Sequence, residues 1–313
     1  MSTPILYIVV PCYNEEECLR ETRKRLSKKL GVLESQNIIS KNSRIVFVDD
    51  GSKDKTWSII EEKSDKVIGL KLSRNRGHQN ALLAGLFYAK EHADVVASMD
   101  ADLQDDINAL DKMLDKYADG YEIVYGVRKA RKKDTFFKRT TAQLFYKTMN
   151  WLGAEVVYNS ADYRLMSKRA LDEMANYKEV NLFLRGIVPL IGLKSTTVEY
   201  EREERFAGES KYPLKKMLNF AWDGITSFSV KPIRFVLKIG MLIFAISLLV
   251  LLYSLIVKLL GKAVDGWTFI ICSIWILGGI QMISIGLIGE YIGKTYSETK
   301  QRPRYFVEKI VGE

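Results

Sequence analysis

Met99-Asp100-Ala101-Asp102-Leu103-Gln104-Asp105-Asp106 comes directly after the uncharged run Val95-Val96-Ala97-Ser98. The run is short, β-branched and apolar on both faces, which predicts a strand over Val95–Met99, buried in a parallel sheet. Ligands bind at the carboxyl ends of such strands, so the acids beyond it are candidates for a site. Asp100 and Asp102 are two apart. On an extended segment their carboxylates point the same way, and Gln104 continues the alternation. Like charges held together favour a divalent cation, and a magnesium-type site takes one or two carboxylates with phosphates and water completing its shell. A helix N-cap, supplied by Asp105 or Asp106 ahead of a helix at Ile107–Tyr117, accounts for acids here without metal.

Outward from this stretch the first 127 residues alternate short apolar runs with amphipathic ones. Strands are expected at Ile5–Val10, Arg44–Val48, Val67–Leu72 and Glu122–Tyr125, with helices at Glu15–Leu30, Thr56–Ser64 and Gln79–Glu91. Polar clusters come after the early strands. Pro11-Cys12-Tyr13-Asn14-Glu15-Glu16 offers an aromatic face and a carboxylate, and Asp49-Asp50-Gly51-Ser52-Lys53-Asp54 offers acceptors and a turn. Ser73 to Asn80 adds Gly77 and side-chain donors before a helix N-terminus, where anions are stabilised. Each alone reads as a turn with a cap, whereas together on one sheet edge they describe a nucleotide pocket. The glycine fingerprints of dinucleotide cofactors and phosphate loops are absent, which disfavours hydride transfer and ATP hydrolysis.

The C-terminal third has a different character. Ile239 to Val257 is nineteen residues without a charge, and Trp267 to Gly289 is twenty-three. At 1.5 Å per residue the shorter helix reaches about 28 Å, enough for the hydrocarbon core. The two runs predict a transmembrane hairpin. Lys231, Arg234 and Lys238 precede it and Lys294, Lys300, Arg302 and Arg304 come after it, against Lys258 and Lys262 in the loop, so both termini are expected in the cytoplasm. Between Leu214 and Phe228 an apolar stripe runs beside Lys215 and Lys216, which suits an interfacial helix or a core-facing one. Cys12, Cys18 and Cys272 suggest neither a disulfide framework nor a zinc site. The chain carries 47 Lys and Arg against 38 Asp and Glu. Arg128–Arg139, Lys211–Lys238 and Glu290–Arg304 together hold a net +13, leaving the remainder at −4. Positive charge gathered at membrane flanks and in one loop argues for anionic lipid and phosphates and against nucleic acid.

Five ordered motifs carry a resemblance: Val10 to Glu15, Asp49 to Ser52, Asp100 to Gln104, Ser160-Ala161-Asp162-Tyr163-Arg164-Leu165-Met166, and Arg205 to Tyr212. They resemble the family 2 glycosyltransferases, in the polyprenyl-phosphate branch of dolichol-phosphate mannose synthase and bactoprenol glucosyltransferases. The resemblance implies an α/β GT-A fold with a mostly parallel central sheet. It divides the chain into a cytoplasmic catalytic domain (1–210), a juxtamembrane amphipathic helix (211–232), a hairpin (233–290) and a cytoplasmic C-terminal tail (291–313). The Gln-x-x-Arg-Trp motif of processive synthases is absent, which argues for transfer of a single sugar.

The implied activity is inverting transfer of one hexose, glucose from UDP-glucose foremost, to polyprenyl (undecaprenyl) phosphate at the cytoplasmic face of the plasma membrane. Pro11, Tyr13, Glu15, Asp50, Gly77, Asp100 and Ala101 form the implied nucleotide-binding set. Asp100, Asp102 and Gln104 are the implied ligands of Mg2+ or Mn2+. Arg128 and Arg139 match arginines near the phosphates, and Arg205, Ser210 and Lys211 belong to a motif near the acceptor phosphate. Asp162 and Asp102 join those two arginines in the catalytic set, with Asp162 either assisting the nucleophile or pairing structurally with Arg164. Relatives of this kind imply a homo-oligomer packed through the hairpins, a tetramer among the candidate forms. Two other readings stand beside this one, a related transferase using another sugar or lipid and a membrane adaptor that keeps the fold without catalysis.

Overall fold

The computed structural model describes residues 3–129, 157, 159–180, 182–202, 226, 231–260 and 266–313. β1 (Leu6–Cys12), β2 (Arg44–Asp49), β3 (Val67–Leu72) and β4 (Val95–Ser98) alternate with α1 (Leu19–Ser35), α2 (Thr56–Ile60) and α3 (His78–Lys90). Then come α4 (Ala109–Ala118), β5 (Ile123–Arg128), β6 (Ser160–Ser167), α5 (Lys168–Met174), α6 (Leu184–Leu190) and β7 (Ser195–Tyr200). Two long helices, α7 (Lys231–Leu259) and α8 (Trp267–Lys300), precede a last strand, β8 (Val307–Val311).

The eight strands form one sheet in the order β7-β5-β6-β4-β1-β2-β3-β8. β1 pairs in parallel with β2 and β4, β2 with β3, and β5 with β7. β6 runs antiparallel to both β4 and β5, and β8 antiparallel to β3. Every residue of β1 is buried. Alternate side chains divide between two cores: Leu6, Ile8 and Val10 pack with the leucines of α1 and with α4, while Tyr7 and Val9 pack with α3, α5 and α6. This two-faced burial explains why the strand reads as an unbroken apolar run. At Gly85, α3 lies so close to the sheet that a Cβ would stand 2.3 Å from Val9 Cγ1 and 2.7 Å from Val48 Cγ2.

The five expected strands all form, with ends shifted by up to three residues, and α1 starts at Leu19 rather than Glu15. β6, β7 and β8 carry no comparable sequence signal. β6 contains Asp162 and Arg164, which read as non-strand until the two are seen to pair within the core. Beyond the second apolar run, α8 continues to Lys300 and the chain then returns to the sheet as β8. Along α7 and α8 large apolar side chains face outward, among them Leu237, Leu249, Tyr253, Met282 and Ile283 at 61–69% exposure. Ile276–Lys300 is long and apolar enough to cross a membrane. Contiguous exposed apolar surface of this extent marks a face made for lipid or protein, not water.

Candidate active site

Three loops at the carboxyl ends of β1, β2 and β3 are stitched into one wall. Asn14 N–H donates to Ser52 Oγ at 3.0 Å, Lys53 N–H to Asn14 Oδ1 at 2.9 Å and Glu15 N–H to Thr56 Oγ1 at 2.8 Å. Asp50, buried at 2% exposure, accepts from the N–H groups of Arg76 (2.6 Å) and Gly77 (2.8 Å), tying the second loop to the third. Gly51 makes that approach possible. Its φ of +69° suits glycine, and a Cβ there would lie 2.7 Å from the Asn75 nitrogen. Of the candidate nucleotide residues, Glu15, Asp50 and Gly77 are held on this wall, Pro11 lies inside β1, the Tyr13 ring is 37% exposed, and Asp100 and Ala101 lie on the turn after β4. Asp50 spends both carboxylate oxygens on backbone, so its first task is to shape the wall.

The acidic turn after β4 departs from the extended geometry expected for it. β4 ends at Ser98, Ala101 and Asp102 form a turn, and Leu103 takes φ +57° so that its side chain reaches the core at 2% exposure. Burial of Leu103 overrides strand alternation, and Gln104 does not continue the line of Asp100 and Asp102. The Gln104 amide oxygen accepts instead from Arg202, while its N–H donates to Asp102 Oδ1 at 3.2 Å. Thr22 Oγ1 of α1 donates to the Ala101 carbonyl at 2.7 Å and fixes the turn from below. The expected cap at Asp105 or Asp106 does not form: α4 takes Asn108 as its N-cap without a side-chain cap bond, and Asp106 Oδ1 accepts from Asn108 N–H at 2.9 Å in the turn ahead of the helix.

Asp100 faces charges from other elements. His78 Nε2, on the first residue of α3, stands 3.6 Å from both Asp100 Oδ1 and Asp162 Oδ2. Arg164 Nη2 donates to Asp162 Oδ1 at 2.7 Å, and Arg185 of α6 donates through Nε (3.2 Å) and Nη2 (3.1 Å) to its two oxygens. Burial alone would raise the Asp162 carboxyl, but Arg185, His78 and Arg164 hold it well below the usual range. Such a carboxylate keeps its charge and is a weak base, which favours positioning over proton abstraction. Asp100 goes the other way: burial, joined by Asp105, Asp162 and Asp102 and only partly opposed by His78, pushes it up to about 6. Burial lowers His78, yet the neighbouring carboxylates of Asp162 and Asp100 outweigh that and lift it to about 9.

This excess of negative charge is what a divalent cation would neutralise, and an all-oxygen donor set of Asp100 and Asp102 fits a hard ion. Among the described residues no cluster of three His, Cys, Asp or Glu encloses such an ion, so phosphates and water would complete its shell. Arg128 points at a different partner: Tyr200 Oη, 3.1 Å from its Nε, and Asp105 Oδ1, 3.4 Å from its Nη2, hold it. Arg139, Arg205, Ser210 and Lys211 lie outside the described residues, as does the stripe from Leu214 to Phe228 apart from Thr226. Sequence alone assigns no role to His78 or Arg185. His78 stands in one of the polar loops, but no local pattern distinguishes Arg185.

Residues 7–175 match Glycosyl transferase family 2, and residues 231–295 match the GtrB C-terminal hairpin. The chain is 56% identical to the uncharacterized glycosyltransferase YkoT of Bacillus subtilis over 98% of its own length and 92% of that protein's. It is 39% identical to the prophage bactoprenol glucosyl transferase homolog of Escherichia coli, covering 97% and 98% of the two chains. It is also 39% identical to the SfII prophage-derived bactoprenol glucosyl transferase of Shigella flexneri, covering 96% and 97%. The parallel β1–β4 core, the polar loops at its carboxyl ends and these chain-long similarities lead to one assignment: the protein belongs to the family 2 glycosyltransferases, with a GT-A-type α/β domain and a GtrB-type C-terminal hairpin.

Proposed function

We propose that the protein transfers one hexose, glucose from UDP-glucose foremost, to polyprenyl phosphate at the cytoplasmic face of the plasma membrane. The observation that carries this reading is the 39% identity to bactoprenol glucosyl transferases, which runs through the catalytic domain and the hairpin alike. In this reading the hairpin crosses the bilayer twice and leaves both termini in the cytoplasm, where the basic flanks meet anionic lipid.

The wall of the first three loops receives the base and ribose, with Tyr13 presenting its ring and Asp50 keeping the loops in register. Asp100 and Asp102 are the residues that would hold Mg2+ or Mn2+, and such an ion supplies charge neutralisation to the departing nucleotide diphosphate. The acceptor phosphate is ionised at neutral pH, so its oxygen attacks the anomeric carbon without a strong general base, with inversion. Asp162 keeps Arg185 and His78 in place, and these cations supply positive potential beside the acids. Arg128, anchored by Asp105 and Tyr200, marks the start of the basic loop toward the phosphates.

The test is direct. Purified protein with Mg2+ or Mn2+, polyprenyl phosphate and a panel of nucleotide sugars is expected to yield a lipid heavier by one hexose, most abundantly from UDP-glucose. Absence of any lipid-linked sugar with every donor overturns the reading.

A further inference from the structure

A cleft of about 310 Å³ opens between the start of α3 and the end of α8, outside the carboxylate site. Arg76 and Asn80 line one side, and Lys300, Arg302 and Arg304 line the other. Four cations thus meet with no carboxylate in the lining. Two acids stand close by. Glu298 turns its carboxylate to the Val180 N–H, at 2.8 and 3.0 Å, and Glu179 lies near enough to Arg304 to act on its charge.

The end of a helix attracts cations, which accounts for Lys300 without any ligand. It does not account for Arg76, which arrives from the opposite end of the chain. Arg76 Nε is buried and has no hydrogen-bond partner, and among the described residues neither Arg76 nor Arg302 is paired with a carboxylate. Lys300 Nζ lies over the Tyr296 ring, 4.1 Å from its centroid, and Arg304 donates to the Tyr177 carbonyl at 2.7 Å. The cleft therefore carries surplus positive charge on partly fixed side chains, three of them guanidinium forks that match the oxygens of a phosphate. It also lies at the polar end of the apolar segment Ile276–Lys300. Basic pockets at that level of a membrane helix meet the headgroups of anionic lipids.

We infer that this cleft binds the phosphate of an anionic phospholipid headgroup, at a place separate from the site of sugar transfer. The inference rests on the proposed membrane seating of α8. The cleft shares a loop with the donor wall, since the Arg76 N–H is one of the two that hold Asp50. A lipid phosphate on the Arg76 guanidinium would brace that wall from the membrane side.

The experiment uses the full chain in detergent and measures binding of short-chain phosphatidylglycerol, phosphatidylcholine and inorganic phosphate by native mass spectrometry. Phosphatidylglycerol is expected to bind at least about tenfold more tightly than phosphatidylcholine, a difference of roughly 1.4 kcal/mol. Lys300→Gln with Arg302→Gln, both exposed positions whose change leaves the fold intact, is expected to remove the preference, and Arg76→Gln to weaken it. Equal binding of the two lipids, or a preference that survives the double substitution, overturns the inference. Displacement of the lipid by an equal concentration of inorganic phosphate also overturns it, in favour of a soluble phosphate ligand. No nucleotide sugar or polyprenyl phosphate is present. Failure here leaves the transfer reaction standing, and failure of the transfer assay leaves this result standing.

Discussion

The two halves of the site are held by different forces. Around β1, β2 and β3 the loops are joined by hydrogen bonds from backbone N–H groups to side chains, and the buried acid that ties the second loop to the third, Asp50, is fully used. Around β4 and β6 the contacts are between charges, and Asp100 remains short of cations. The first half is a shape completed on folding. The second is a charge balance that folding leaves open, and an open balance is where a ligand of opposite charge adds most.

If this contrast is right, substitutions in the charged half act on chemistry or on buried charge, and those in the bonded half act on shape. The largest effect is expected at Asp102→Asn. Sugar transfer falls at least about 10,000-fold, roughly 5.4 kcal/mol, while the melting temperature stays near that of the parent. An Asn variant with full metal-dependent activity removes Asp102 from the cation site.

Asp162→Asn comes next, because it leaves Arg164, 2% exposed, without a counter-charge. A loss of about 3 kcal/mol is expected, read as a melting temperature lower by roughly 6–12 °C. A variant as stable as the parent but slow in transfer assigns Asp162 to chemistry alone.

Gly51→Ala tests the bonded half. Left-handed backbone and the contact with Asn75 should cost about 2 kcal/mol and raise the KM for the donor more than they lower kcat. Equal loss in both halves of the rate law breaks the contrast.

The charged half also predicts a pH dependence in metal-free buffer. The folded-state pKa of His78, lifted from 6.5 to about 9, exceeds its unfolded value, so its stabilisation is complete below about 6.5 and is lost as pH rises through about 9. Asp100, raised to about 6, has already released its proton over that window. Melting temperature should therefore fall between pH 7 and 9.5, and His78→Gln should flatten that slope.

The legible part of the fold is the part whose burial is uniform. Val95–Ser98 and the strands of its parallel neighbourhood hide both faces, and an unbroken apolar run records that directly. β6 hides both faces too, but it buries Asp162 and Arg164 as an ion pair, and a charged pair two residues apart leaves a sequence that looks exposed. In the site, the loops are legible because each is a polar cluster at the end of an apolar run. The geometry of the acidic turn is not, because it depends on Leu103 turning its side chain into the interior through a left-handed backbone that no local pattern records. Arg185 stays hidden as well: α6 is brought to Asp162 by packing on the sheet face, not by proximity in sequence.

β8 gives the C-terminal hairpin an unusual standing. The strand that closes the outer edge of the sheet, against β3, is made only after α7 and α8. The hairpin is therefore an insertion within the globular unit, not an appendage to it. During synthesis the β3 edge stays open until the apolar helices have left the ribosome, and closing it needs one of the longest-range pairings in the chain. A sheet that cannot be finished before its hairpin exists ties completion of the catalytic domain to synthesis of the two apolar helices.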